Sequence, residues 1–195
     1  MFQLTKLRNE LNFNKEIGGI INVLKGVASS EFYRLQKARK KLDEFGDYLQ
    51  TFFRMVNIAG ARHLFLEDSS LPRALLLITS DIGFLGKLNV AIVNSALEQY
   101  SGNEKLIIVG KQGAGYIEET GKSFTSFGGI TDEVDYKEVE TLTNFIVKGF
   151  LNKEFGRTVI IYSHFTSFAL WRVQNYQLLP CRFLLPVSSG SEVKD

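Results

Sequence analysis

Residues 74–89 read ALLLITSDIGFLGKLN, and the fold turns on how this stretch is read. Five apolar residues, Ala74 to Ile78, stop at Thr79-Ser80-Asp81. Two glycines and a lysine follow, Gly83, Gly86 and Lys87, and an amphipathic stretch then begins at Leu88. Strand, glycine-bearing turn and helix are the parts of a phosphate-binding loop, so the first question is whether a nucleotide sits here. The spacing argues against it. A P-loop needs four residues between its first glycine and Gly-Lys, then a Ser or Thr to hold magnesium. Here two residues separate Gly83 from Gly86, and Leu88 follows Lys87. The dinucleotide pattern G-x-G-x-x-G is absent as well. Gly110-Lys-Gln-Gly113-Ala-Gly115 is a looser glycine pattern, read here as a tight strand-to-helix turn.

Outward from Thr79 the chain alternates strands and helices. The pattern predicts strands over 75–79, 106–110, 123–127, 158–163 and 168–179. It predicts helices over 88–100, 116–120 and 134–151. Leu88, Ile92, Val93, Ala96, Leu97 and Tyr100 share one face of the first of these helices. Val139, Leu142, Phe145, Ile146 and Phe150 face inward on the last. Strands and helices of this length imply an α/β domain: a mostly parallel sheet covered by helices on both faces. Ser80 and Asp81 are expected to cap or brace the turn that follows them.

The first 58 residues have another texture. They contain no proline, and apolar residues recur at spacings of three and four: Leu4, Leu7, Leu11, Ile17, Ile20, Ile21, Leu24, Val27, Phe32, Leu35, Leu42, Leu49, Phe53 and Val56. That is one long helix, on the order of 85 Å at 1.5 Å per residue. Gly18, Gly19, Gly26 and Gly46 interrupt it, each costing about 1 kcal/mol in a helix interior. Such a helix is held by a partner, or is bent or broken there. The boundaries expected are a helix over 1–58, a linker over 59–73, a Rossmann-like domain over 74–180 and a polar tail over 181–195.

Charge separates the same regions. Residues 1–58 hold ten Lys/Arg and six Asp/Glu, and the remainder thirteen and fifteen. The basic run Arg34 to Lys41 reads as a solvated helix face, since Asp43, Glu44 and Asp47 follow at once. A net charge of +2 gives no pull toward nucleic acid. The single cysteine, Cys181, cannot form an internal disulfide, which fits a reducing compartment. No run has the roughly 20 apolar residues of a membrane span. A soluble cytoplasmic protein is the expectation. His63 and His164 stand apart, with no second ligand at i+4. No catalytic constellation, cofactor site or metal site is expected.

These stretches resemble the gamma subunit of the rotary F-type ATP synthase. Leu7-Arg8-Asn-Glu-Leu11 and Ile20 to Ser30 are similar to its N-terminal helix. His63-Leu-Phe-Leu66-Glu67 is similar to its linker. Thr79-Ser80-Asp81-Ile82-Gly83-Phe84-Leu85-Gly86-Lys87-Leu88-Asn89 is similar to its strongest motif, T-S-D-R-G-L-C-G-x-x-N. Gly110-Lys111-Gln112-Gly113 and Gln177-Leu178-Leu179-Pro180 follow in order. The resemblance implies a non-catalytic central-stalk rotor. Its Rossmann-like foot binds no nucleotide, and Thr79, Ser80, Asp81, Gly83, Gly86 and Asn89 form a structural motif. It implies shaft contacts at Arg8, Leu24 and Lys25. The implied partners are the alpha and beta subunits of the catalytic ring, an epsilon-type subunit and the membrane c-type ring. The chain would be peripheral to the membrane, inserting nothing into it. Ile82, Leu85 and Gly26 depart from the family pattern, which marks a divergent member. The family's long C-terminal helix is not found: the sequence ends in the polar stretch 188–195. A shortened piece or a paralogue would explain that. Two alternatives stay open, an adaptor paralogue docked to another assembly and a Rossmann-like enzyme binding a nucleotide between the loops at Thr79 and Gly110.

Overall fold

The computed structural model describes residues 2–56, 62–83, 87–129, 136–167 and 170–181. The chain divides into two units, Met1–Asn57 and Ile58–Asp195.

The first unit is a single helix, α1, Phe2–Val56, 55 residues long. It runs unbroken through all four glycines. A Cβ built on Gly18, Gly19, Gly26 or Gly46 would meet nothing within 4 Å. Packing among the described residues therefore does not call for a glycine at these positions. The apolar stripe is bare: Leu4, Leu7, Ile20, Ile21, Leu24, Val27 and Leu35 are each more than half exposed. Leaving so many large side chains in water forgoes about 1.5–3 kcal/mol for each one that could be buried.

The second unit is an α/β domain. Its elements are β1 (Arg73–Ile78), α2 (Leu88–Glu98), β2 (Lys105–Val109), α3 (Lys111–Glu118), β3 (Phe124–Phe127), α4 (Tyr136–Leu151), β4 (Arg157–Ser167) and β5 (Leu170–Leu179). The strand order is β3-β2-β1-β4-β5. The first four strands run parallel, and β5 returns antiparallel along β4. β1 is central because it is apolar on both faces, and strict alternation sends its side chains to two cores. Leu75 and Leu77 join Ile92, Val93, Ala96, Leu106, Ile108, Ile117 and Ile161 under α2 and α3. Ala74 and Leu76 join Ile107, Val109, Ile146, Phe150 and Phe155 under α4.

Several expectations shift in detail. α3 starts at Lys111, five residues before the predicted Tyr116. The glycine-rich segment 110–115 is thus mostly helix rather than turn. Val139 is not inward: it lies 38% exposed on the first turns of α4. The predicted start of that helix at 134–135 and the polar tail from 182 onward lie outside the described residues. Phe65, in the stretch read as a linker, packs on the Phe150 ring at 5.7 Å between centroids. Its carbonyl accepts from the Cys181 N–H at 2.6 Å. Phe155, in the turn after α4, is fully buried. Its ring lies so close to Gly149 that a Cβ there would overlap it.

Candidate functional site

β1 ends at Ile78, and the next three residues each reach α3. Helix N-termini leave backbone N–H groups without intrahelical partners. The N-cap residue of α3 is Gly110, which offers no side chain to cap them. Thr79, Ser80 and Asp81 take three in succession. Asp81 Oδ1 accepts from Lys111 N at 2.8 Å. The Ser80 carbonyl accepts from Gln112 N at 3.0 Å. Thr79 Oγ1 accepts from Gly113 N at 3.1 Å and donates to the Val109 carbonyl at 2.7 Å. The fourth amide, Ala114 N, already bonds the Gly110 carbonyl at 3.2 Å.

The same three residues tie the carboxyl ends of the strands together. Asp81 Oδ1 also accepts from Gly129 N, just past β3, at 3.1 Å. Thr79 N donates to Val109 O at 2.9 Å, holding β1 to the end of β2. Ser80 Oγ donates to the Ile82 carbonyl at 2.7 Å and accepts from Asn89 Nδ2 at 2.9 Å. Asn89 Oδ1 in turn accepts from Ser80 N at 3.2 Å, and Asn89 is 2% exposed. Asn89 sits in the first turn of α2, so the motif joins β1, β2, β3, α2 and α3 at one point.

Three glycines are required by this closeness, the first being Gly110, whose φ is 100° and on which a Cβ would overlap the Thr79 carbonyl. A Cβ on Gly113 would overlap Thr79 Oγ1 and Cγ2, and one on Gly129 would overlap the Asp81 carboxyl group. Gly83 has only ordinary contact with the Gln112 side chain, and Gly86 lies outside the described residues. Ser80 does brace the turn that follows it. Asp81 instead reaches across the domain, which sequence spacing alone does not reveal. Gly129 was not singled out from the sequence; the Gly128-Gly129 pair after β3 was the available signal.

Chemically, the arrangement is closed to anions. A phosphate at a helix N-terminus needs free N–H groups and a favourable dipole. Here the amides of Lys111, Gln112 and Gly113 are already bonded, and a carboxylate from the chain itself occupies the positive end of α3. Among the described residues no group of His, Cys, Asp or Glu is arranged to hold a metal ion.

At the opposite, amino end of the sheet, Arg73 at the start of β1 bonds the Gln99 carbonyl at 2.8 Å and Glu104 Oε1 at 3.1 Å. Ser101 N donates to Glu104 Oε2 at 2.7 Å. Burial pushes the Glu104 carboxyl up, but the Ser101 amide and the Arg73 guanidinium outweigh it and hold the group below its ordinary value.

The predicted shaft residues lie on α1. Arg8, Leu24 and Lys25 are all exposed. At about 100° per residue, Leu24 points roughly 160° around the helix from Arg8, and Lys25 roughly 100° from each. The three do not converge on one patch; they face three directions around the helix.

Against known proteins, a family model described as ATP synthase matches residues 3–194. An ATP synthase gamma chain from Clostridium botulinum is 25% identical over 175 residues, covering 85% of this chain and 62% of its own. One from Cytophaga hutchinsonii is 24% identical over 196 residues, covering 93% of this chain and 66% of its own. The chain thus spans about 62% of the length of the first of these relatives. In fold it is similar to a chain in the central stalk and c-ring structure of Tetrahymena thermophila mitochondrial ATP synthase. That match has a TM-score of 0.56 and 16% identity, and it covers 73% of this chain and 66% of the other. The chain belongs to the family of ATP synthase gamma chains.

Proposed function

We propose that this chain is a non-catalytic central-stalk subunit that couples ion-driven rotation to conformational change at catalytic sites carried by other subunits. The observation that carries the reading is α1, a 55-residue helix with an exposed apolar stripe and four glycines beside which no described residue packs. A helix of this kind is built to be surrounded. In the proposed assembly it enters a ring of alpha and beta subunits. Arg8, Leu24 and Lys25, pointing three ways, then meet different neighbours. An asymmetric shaft stabilises a different conformation at each otherwise equivalent nucleotide site, and turning it moves those preferences round the ring. The α/β domain is the foot, engaging an epsilon-type subunit and the c-type ring at the membrane surface. Among the described residues no helix is long and apolar enough to cross a membrane.

The self-capped Thr79–Asp81 loop supports a structural rather than a nucleotide-binding role for the domain. Co-expression with alpha and beta subunits of a related ATP synthase tests the reading. A stoichiometric complex whose formation is weakened by Leu24→Asp is expected. Clean failure to associate would favour an adaptor role in another assembly. Calorimetric binding of ATP, NAD or a flavin to the isolated chain would return the domain to the nucleotide-binding class.

A further inference from the structure

The β4–β5 hairpin outruns the sheet. Pairing of β1 with β4 ends at Leu77↔Ile161, whereas pairing of β4 with β5 continues to Ser167↔Leu170. β5 is the last strand in the order, so among the described residues no strand covers its outer edge. Long edges are normally blunted by proline, lysine or inward charge. Between Leu170 and Leu179 there is no proline and no lysine, and Arg172 is the one charged residue.

The two faces of the projecting hairpin differ in kind. On one, Tyr162 stands opposite Gln174 and His164 opposite Arg172. The Gln174 amide satisfies both neighbours when its nitrogen donates to Tyr162 Oη at 3.0 Å and its oxygen accepts from Arg172 Nε and a terminal guanidinium nitrogen at 3.2 and 3.0 Å. This holds the guanidinium in place and leaves the face rich in donors. The sequence from Arg157 to Cys181 contains no Asp or Glu. Arg172 therefore has no carboxylate within its own hairpin. On the other face Phe165 pairs with Trp171, and these are 40% and 43% exposed.

We infer that the outer edge of β5 is a docking site for an extended segment of a partner protein whose side chains alternate acidic and apolar. A strand added to an edge gains backbone hydrogen bonds, and its alternate side chains fall on opposite faces of the sheet. Carboxylates would fall beside Arg172 on β5, with His164 and Tyr162 one strand further in on the same face, and apolar groups beside Trp171 on the other face. A second copy fits less well, because antiparallel β5 strands would put like cations on one face with no carboxylate to answer them. The inference is independent of the rotor reading.

Trp171 is the only tryptophan of the chain and lies on this strand. The full chain is titrated with ten-residue peptides of alternating Glu-Val, Lys-Val and Gln-Val and with a single-stranded decanucleotide. Tryptophan emission and amide exchange over 170–179 are read. The Glu-Val peptide is expected to shift emission to the blue and protect the β5 amides, with Lys-Val inert. Arg172→Glu should weaken Glu-Val binding about tenfold or more, a change of about 1.4 kcal/mol, while Lys37→Glu on α1 leaves it unchanged. No response, or equal response to Glu-Val and Lys-Val, overturns the proposal. So does equal loss in both variants, which would reduce the effect to net charge. A response to the decanucleotide alone overturns it in favour of phosphate recognition. Concentration-dependent protection without peptide, with a dimer in sedimentation, overturns it in favour of self-pairing.

Discussion

Asp81 ties together two parts of the domain that lie far apart in sequence. One carboxylate oxygen joins the first amide of α3 to the backbone beyond β3, at 2.8 and 3.1 Å. Charge-assisted bonds of this kind are worth about 1.5–3 kcal/mol each to groups that would otherwise go unsatisfied. Asp81→Ala is expected to lower the stability of the α/β domain by about 2 kcal/mol, read as a shift in urea midpoint. An unchanged midpoint would show that water replaces the carboxylate without loss. Gly113→Ala should cost at least as much, because the added methyl meets Thr79 Oγ1 at the same junction. Glu104 supplies a pH dependence at the other end of the sheet. Its carboxyl is held below its ordinary value, so the unfolded chain binds the proton at higher pH than the folded one. The stabilisation is then present above the ordinary carboxylate range and is lost as pH falls through the folded value beneath it. Glu104→Gln should flatten the acid limb of the stability curve. An unaltered limb would assign acid unfolding to other carboxylates. Thr158 shows the converse situation. Among the described residues its buried hydroxyl has no hydrogen-bond partner, beside the irregular pairing at Val159, so Thr158→Val should be neutral or stabilising by about 1 kcal/mol.

Among the elements, α1 and α3 explain what the sequence could and could not show. α1 was legible because its period is intrinsic, repeated over many turns with no proline. α3 was not, because its start is specified from elsewhere. Its first residues are Lys-Gln-Gly-Ala-Gly, poor local evidence for a helix. They fold as one because Thr79, Ser80 and Asp81, some thirty residues earlier, supply its caps. The Thr79–Asn89 motif could thus be recognised as a unit before its bonds could be named. Asn89 shows the same limit: a polar residue opening an apolar helix carries no local sign that both ends of its amide are taken by Ser80. The α1 glycines yield a prediction at this scale. With empty space where each Cβ would go, Gly18→Ala with Gly19→Ala should strengthen the isolated helix by about 1 kcal/mol per site. Helical content measured by circular dichroism should rise and amide exchange around 18–19 should slow. If the glycines exist to admit a closely approaching neighbour, the same double variant should weaken assembly with alpha and beta subunits. Unimpaired assembly would leave them without that role.

For the whole molecule, the two units draw on different sources of stability. The α/β domain has two cores closed around β1, and its loops are tied to one another by the Thr79–Asp81 clamp and the Arg73–Glu104 pair. α1 has no such core; its apolar side chains face solvent, and isolated helices in water draw little stability from propensity alone. The units should therefore unfold separately. Heating the full chain should melt α1 gradually, followed by one cooperative transition belonging to the domain. A chain limited to residues 62–181 should retain that transition at nearly the same temperature, since none of the named core residues lies in α1. Loss of a cooperative melt in the shortened chain would mean that α1 stabilises the domain directly. Adding alpha and beta subunits tests the proposed assembly from the other side. Anything that binds folded α1 and not its unfolded form raises its apparent stability by mass action. The gradual phase should then sharpen and move upward while the domain's own transition stays put. If both phases moved together, foot and shaft would be acting as a single cooperative body in the assembly.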